Sequence, residues 1–161
     1  MSMKNSYALI TGSSSGIGLE IAKELAKKGF NIVLTARRED KLREQAESIS
    51  ETHNVKVDFI SSDLSLEDAP NNIYNFCNEQ GYQIDVLVNN AGYGIKTPFH
   101  ETSMQDEEKF IRVLGTSVIA LTKIFIPKML ERGHGKIMIV SSVAAFAPPS
   151  SIQALYGPIK T

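Results

Sequence analysis

In a chain of 161 residues, 42% hydrophobic and 22% charged content excludes a disordered, collagenous or coiled-coil protein and suits one domain with a real core. Lys+Arg 17 against Asp+Glu 18 leaves a formal charge of −1, which offers no nucleic-acid footprint and no polybasic membrane patch. A single cysteine, Cys77, excludes an intrachain disulfide, and the N-terminus lacks signal-peptide architecture. The expectation is one cytoplasmic domain over residues 1–161.

Tyr7-Ala8-Leu9-Ile10-Thr11, ended by Gly12, reads as a first strand. A helix follows, with Ile21/Leu25 and Ala22/Ala26 at i,i+4 and a stop at Gly29. Asn31 to Thr35 is a second strand, and 38–52 a charged helix carrying Leu42, Ala46 and Ile49. Val55 to Ile60 gives a third strand. The next helix is expected over 66–80, started near Ser65, with Glu67 and Asp68 at its positive end. Ile84 to Val88 is a fourth strand. The longest helical pattern runs from about 103 to 131 and puts Phe110, Val113, Leu114, Ser117, Leu121 and Ile124 on one face. Pro127 is expected to kink it or end its main part. Lys136 to Val140 is the fifth strand. The uncharged stretch Ile137 to Ile159 contains Pro148-Pro149 and several serines, so it reads as a buried strand and a loop rather than a membrane span. Strands buried on both faces, alternating with helices, specify α/β: a Rossmann-like doubly wound parallel sheet ordered 3-2-1-4-5.

The first strand leads into its helix through Thr11-Gly12-Ser13-Ser14-Ser15-Gly16-Ile17-Gly18. Glycines at 12, 16 and 18 allow a tight turn, close approach to a pyrophosphate and close helix packing, while the helix N-terminus offers free amides. The loop lacks the GK[ST] ending of a nucleoside-triphosphate loop, so its place in a βαβ unit points to a dinucleotide. At the end of the second strand, where an acidic acceptor for a ribose 2′-hydroxyl would stand, the chain reads Thr35-Ala36-Arg37-Arg38. Arg37 and Arg38 suit a 2′-phosphate, so NADP(H) is preferred over NAD(H). Glu39 and Asp40 fit the first turn of the next helix.

With Asp63-Leu64, Asn89-Asn90-Ala91-Gly92, Ser141-Ser142 and Tyr156-Gly157-Pro158-Ile159-Lys160 in the same order, the chain resembles the short-chain dehydrogenase/reductase family along its whole length. The resemblance implies an oxidoreductase moving hydride between a nicotinamide and a small carbonyl or alcohol substrate. It gives Asp63 the adenine amino group, with Leu64 beside it. Asn89, Ala91 and Gly92 would line the cofactor cleft and tie the central strands together, with Asn90 also a cofactor-binding residue. Ser142 would hold the substrate oxygen, Tyr156 transfer the proton and Lys160 support it. The chemistry agrees: a phenol titrating near ~10 needs a nearby cation to carry protons at neutral pH, and Tyr and Lys four apart share one helix face. The long helix would supply a homo-oligomer interface.

Three departures from the family stand out. Arg112 occupies the position, three before Gly115, where the family usually has an asparagine that holds a proton-relay water. Ser142 and Tyr156 lie 14 positions apart, about one more than the commonest spacing, a difference the Pro-Pro-Ser-Ser loop absorbs. The sequence ends at Thr161, where the family continues with a helix, two strands and a substrate segment, so the chain is expected to lack the C-terminal strands. Pro158 then leaves too few residues to nucleate a helix for Tyr156 and Lys160. A non-catalytic dinucleotide-binding module or an inactive truncated fragment is the alternative, and little turnover is expected. His53, His100 and His134 lack metal-ligand spacing, Cys77 reads as helix core, and Met104, Met129 and Met138 as packing or surface cover.

Overall fold

A computed structural model describes residues 5–146 and 154–160. Five parallel strands, β1 (Ser6–Thr11), β2 (Asn31–Ala36), β3 (Val57–Ser61), β4 (Gln83–Asn89) and β5 (Lys136–Ile139), form one sheet in the order β3-β2-β1-β4-β5. This is the doubly wound order expected from the alternation of elements. The helices are α1 (Gly16–Lys27), α2 (Glu39–His53), α3 (Ala69–Glu79), α4 (Met104–Ile111), α5 (Ser117–Arg132) and α6 (Tyr156–Lys160).

The period of two along each central strand divides the core. Ala8, Ile10, Ile32, Leu34, Val86 and Val88 pack with Ala22, Ala26, Leu42 and Ile49 of α1 and α2. Leu9, Val33 and Leu87 pack on the other face with Ile73, Phe110, Leu121 and Phe125 of α3, α4 and α5. β1 lies between β2 and β4, so the chain leaves the β1–β4 junction in opposite directions. A crevice opens there at the carboxyl ends of the strands.

Local structure departs from expectation in several places. α3 begins at Ala69, because Pro70 has no N–H and fits the first turn, where none is needed. Residues 112–116 form a π turn between α4 and α5, and α5 runs through Pro127 to Arg132. The turn shifts the phase of the apolar face. Buried positions downstream recur at Ser117, Leu121, Phe125 and Met129, leaving Ile124 half-buried. Only β1, β2 and β4 are sheathed on both faces. β3 is half-exposed, and on β5 Met138 and Ile139 are 47% and 58% exposed, because these strands form the edges among the described residues. The predicted buried strand after Lys136 is therefore an exposed edge. By length and composition alone, the segment Met104–Arg132 could cross a membrane, but its apolar face packs on the sheet.

Candidate active site

The turn after β1 is held by side chains reaching from β4. Thr11 Oγ1 accepts from the backbone N–H groups of Asn90 (2.9 Å) and Ala91 (3.0 Å), while Asn90 Nδ2 donates to the carbonyls of Thr11 (2.9 Å) and Gly12 (3.2 Å). Gly12 has φ +67°, and a Cβ there would stand 2.8 Å from Ala91 Cα. A Cβ on Gly18 would press on Asn90 Nδ2 and lie 2.6 Å from the Gly12 carbonyl oxygen. Both glycines are therefore required by close backbone approach. Ser13 faces inward, its Oγ accepting from Thr35 N at 3.0 Å.

Gly16, at φ +61°, has open space over it, and α1 begins with no side-chain cap and no acidic residue in its first turn. Its leading amides are left for an anion. This open cradle fits the pyrophosphate of a dinucleotide. Beside it, Arg38 donates to Ser14 Oγ and Ser15 Oγ, each at 3.0 Å. Arg37 makes no side-chain hydrogen bond or ion pair among the described residues.

From this turn a cleft of about 530 Å³ extends across the strand ends. One wall carries Arg37, Arg38, Asp63 and Leu64, and the other carries Ala91, Gly92, Tyr93 and, from α4, Lys109. Asp63 Oδ1 accepts from Ser65 N at 2.9 Å, which fixes the carboxylate at the mouth. Tyr93 stands edge-on to Phe110, with ring centroids 5.4 Å apart, and burial pushes its phenol above the ordinary range.

Beyond Gly92 the crevice meets the end of β5. Ser142 caps the short turn Val143–Phe146, its Oγ accepting from Ala144 N at 3.2 Å. α6 packs on that turn closely enough that a Cβ on Gly157 would lie 2.9 Å from the Ala144 carbonyl oxygen. Tyr156–Lys160 is thus one helical turn, contrary to the expectation from its length. Ile159 N donates to the Leu155 carbonyl at 3.0 Å, Ser141 Oγ to the Lys160 carbonyl, and Lys160 Nζ to the Val140 carbonyl at 2.8 Å. Tertiary pinning by β5 replaces helix nucleation, and Pro158 falls within the first turn. The Tyr156 ring lies 6.3 Å from that of Phe110. Lys160 Nζ is 3.6 Å from where a Cβ on Gly92 would stand, so the ammonium roofs the Gly92 end of the crevice.

A short chain dehydrogenase family model matches residues 6–160. The chain belongs to the short-chain dehydrogenase family. Very-long-chain 3-oxoacyl-CoA reductase of Rattus norvegicus is 36% identical over 146 residues, covering 88% of this chain and 46% of that protein. L-sorbose reductase of Gluconobacter frateurii, solved with NADPH and L-sorbose, superposes with a TM-score of 0.89 at 34% identity, covering 99% of this chain and 61% of that one. A short-chain dehydrogenase of Sphingobium yanoikuyae, solved with NADPH, gives a TM-score of 0.88 at 30% identity, covering 96% of this chain and 60% of that one. The chain spans about half the length of the curated relatives it matches.

Read as a short-chain dehydrogenase, the sequence places its candidate residues in two groups. Gly12, Ser14, Ser15, Arg37, Arg38, Asp63, Leu64, Ala91 and Gly92 line the cleft. Ser13, Gly18 and Asn90 instead build the turn from behind, and Ile17 is 65% exposed at the start of α1. Asn89 bonds Thr122 Oγ1 through Nδ2 at 3.3 Å, tying β4 to α5. Arg112, in the position of the family's asparagine, lies in the π turn. Burial, with no contribution from Arg112, is what holds the Lys160 ammonium below the ordinary lysine range. The sequence reading missed Tyr93, Lys109 and Val113, which also line the cleft. Tyr93 directly follows the Asn-Asn-Ala-Gly run, and Lys109 of α4 and Val113 of the π turn are spaced i,i+4. Those two spacings were the available signals. No cluster of metal-ligating side chains is present among the described residues.

Proposed function

We propose that the chain binds NADP(H) in this cleft and contributes the proton-transfer residues of a carbonyl/alcohol oxidoreductase. The observation that carries the reading is one continuous crevice, running from two arginines and an uncapped helix N-terminus to Gly92 beneath the Lys160 ammonium. The bound nicotinamide supplies the hydride chemistry. Ser14, Ser15, Arg37 and Arg38 hold the phosphates, Asp63 accepts from the adenine amino group, and Leu64 lies beside it. In the reductive direction Ser142 holds the carbonyl oxygen and Tyr156 delivers its phenolic proton to that oxygen. Lys160, one turn on, favours the phenolate left behind, and burial holds its own ammonium below the ordinary lysine range.

A 3-oxoacyl thioester is the first substrate class to test, supported by the identity to the rat reductase. Exposed Ile111, Ile119 and Leu130 along α4 and α5 support self-association through that helix pair. Cofactor retention without turnover is a second reading, favoured by Arg112 at the asparagine position. Cofactor at 100 times Kd adds about 2.7 kcal/mol, or a Tm rise of roughly 5–11 °C. NADPH is expected to give that rise, and its absence with both NADPH and NADH defeats both readings. Turnover of a 3-oxoacyl thioester that is lost in Tyr156→Phe selects the first reading. A Tm rise without turnover selects the second.

A further inference from the structure

α4 turns Lys109 toward the cleft, and the π turn that follows it turns Val113, four positions on, the same way. On other helices several lysines are matched within a turn, Lys23 with Glu20, Lys41 with Glu44 and Lys128 with Glu131, whereas Lys109, like Lys123 of α5, has no ion pair among the described residues. On α4 the nearby carboxylates are already engaged. Asp106 accepts from Ser103 Oγ at the helix cap, and Glu107 accepts from Thr102 Oγ1. Lys109 forms no hydrogen bond or ion pair among the described residues, and it lines the same cleft as the equally unpaired Arg37. The two walls are near one another. The Tyr93 phenol is close enough to both walls to feel the charges of Arg37 and Asp63 on one and of Asp106 and Glu107 on α4.

Arg37, Arg38 and Lys109 face this space against one carboxylate, Asp63, so the lining of the cleft carries an excess of positive charge among the described residues. Unpaired cations converging from opposite walls repel until an anion lies between them. We infer that Lys109 is a further cofactor-binding residue, whose ammonium meets the 2′-phosphate of NADP(H) from the α4 wall, opposite Arg37. The inference rests on the cofactor reading above. It makes preference for the phosphorylated cofactor a property of two elements far apart in sequence, the turn after β2 and the helix after β4. With NADH the three cations face each other across a neutral ribose hydroxyl.

The test is calorimetric titration of the chain and its Lys109→Ala, Lys109→Glu, Lys109→Arg and Arg37→Ala variants with NADPH and NADH. Lys109→Ala is expected to weaken NADPH about fivefold, as for a solvent-accessible ion pair near 1 kcal/mol. Lys109→Glu should weaken it by more than about tenfold, since repulsion replaces attraction. Lys109→Arg should retain most of the affinity, and NADH affinity should stay within about twofold in Lys109→Ala. Lys109 is exposed, so the Tm of the free Lys109→Ala variant is expected to be unchanged. Unaltered NADPH affinity in Lys109→Ala overturns the inference, as does an equal loss for NADPH and NADH. If Arg37→Ala loses NADPH while Lys109→Ala does not, the inference fails and the cofactor reading stands. A wild-type chain that binds neither dinucleotide defeats both.

Discussion

The two ends of the sheet use their polar groups in opposite ways. At the amino ends of the strands most of the groups bond one another, Arg132 Nε being left without a hydrogen-bond partner among the described residues. Asp85, 8% exposed, accepts from Ser6 Oγ (2.6 Å), Gln83 Nε2 (3.2 Å) and Arg132 Nη2 (3.0 Å), with His134 Nε2 3.3 Å away. Next to it, Tyr82 donates to Asp58 at 2.7 Å and stacks on Tyr7 at 4.1 Å. At the carboxyl ends, the Arg37 and Lys109 side chains have no hydrogen-bond or ion-pair partners among the described residues, and α1 begins with no side-chain cap. A closed polar network contributes to folding, whereas an open one is left for a ligand. The contrast locates the site on charge and hydrogen bonding alone, without any motif.

Substitutions on each end should therefore separate stability from binding. The largest expected effect is at the closed end. Asp85→Ala strands Arg132 and the donors from Ser6 and Gln83, and is expected to cost about 3–5 kcal/mol in denaturant unfolding. NADPH affinity of the folded fraction should be unchanged. A loss below about 1 kcal/mol would mean that the network is not what holds this end. Gly18→Ala belongs to both categories: its Cβ would collide with Asn90 and the Gly12 carbonyl, so we expect a loss of about 1–3 kcal/mol together with loss of cofactor binding. At the open end, Arg37→Ala should leave stability within about 0.5 kcal/mol and weaken NADPH about tenfold while sparing NADH. A Tm change comparable to that of Asp85→Ala would erase the distinction between the two ends.

The sheet and the phosphate turn were legible because their signals are local. Apolar runs such as Leu9-Ile10 and Leu87-Val88, and glycines at 12, 16 and 18, report backbone requirements within a few residues. What the sequence hid depends on contacts made across the fold. The helical turn of Tyr156–Lys160 exists because Ser141 and Val140 bind its Lys160 end, and no propensity rule over five residues would produce it. Past the π turn at 112–116, Ser117 and Leu121 are buried as expected, and the buried row continues through Phe125 and Met129, leaving Ile124 half-buried. β5 resembled β1 and β4 in composition, but its place at the edge, which exposes it, is a matter of topology. Lys109 looked like an ordinary helix lysine. Only the cleft geometry distinguishes it from Lys128, which has Glu131 beside it.

At neutral pH the smallest expected effect comes from the closed end's proton chemistry. Burial beneath α3, reinforced by the Asp58 charge, pushes the Cys77 thiol up from 9.0 to about 12, and burial with Asp58 also raises Tyr82. These groups hold their protons more tightly folded than unfolded. Their contribution is fully present below the unfolded value and is lost as pH rises through the folded one. Stability is therefore expected to be flat around pH 7 and to decline from about pH 9 for Cys77, with Tyr82 adding to the decline above 10.0. The thiolate is the reactive species, so Cys77 in the native chain should label with a disulfide reagent at pH 8 at least about a hundredfold more slowly than in denaturant. Bound NADPH should not alter that rate beyond its effect on global stability, because Cys77 lies near the strand starts, away from the cleft. Native labelling as fast as denatured labelling would show that this end of the sheet opens on its own, and the division between a closed and an open end would then be one of degree.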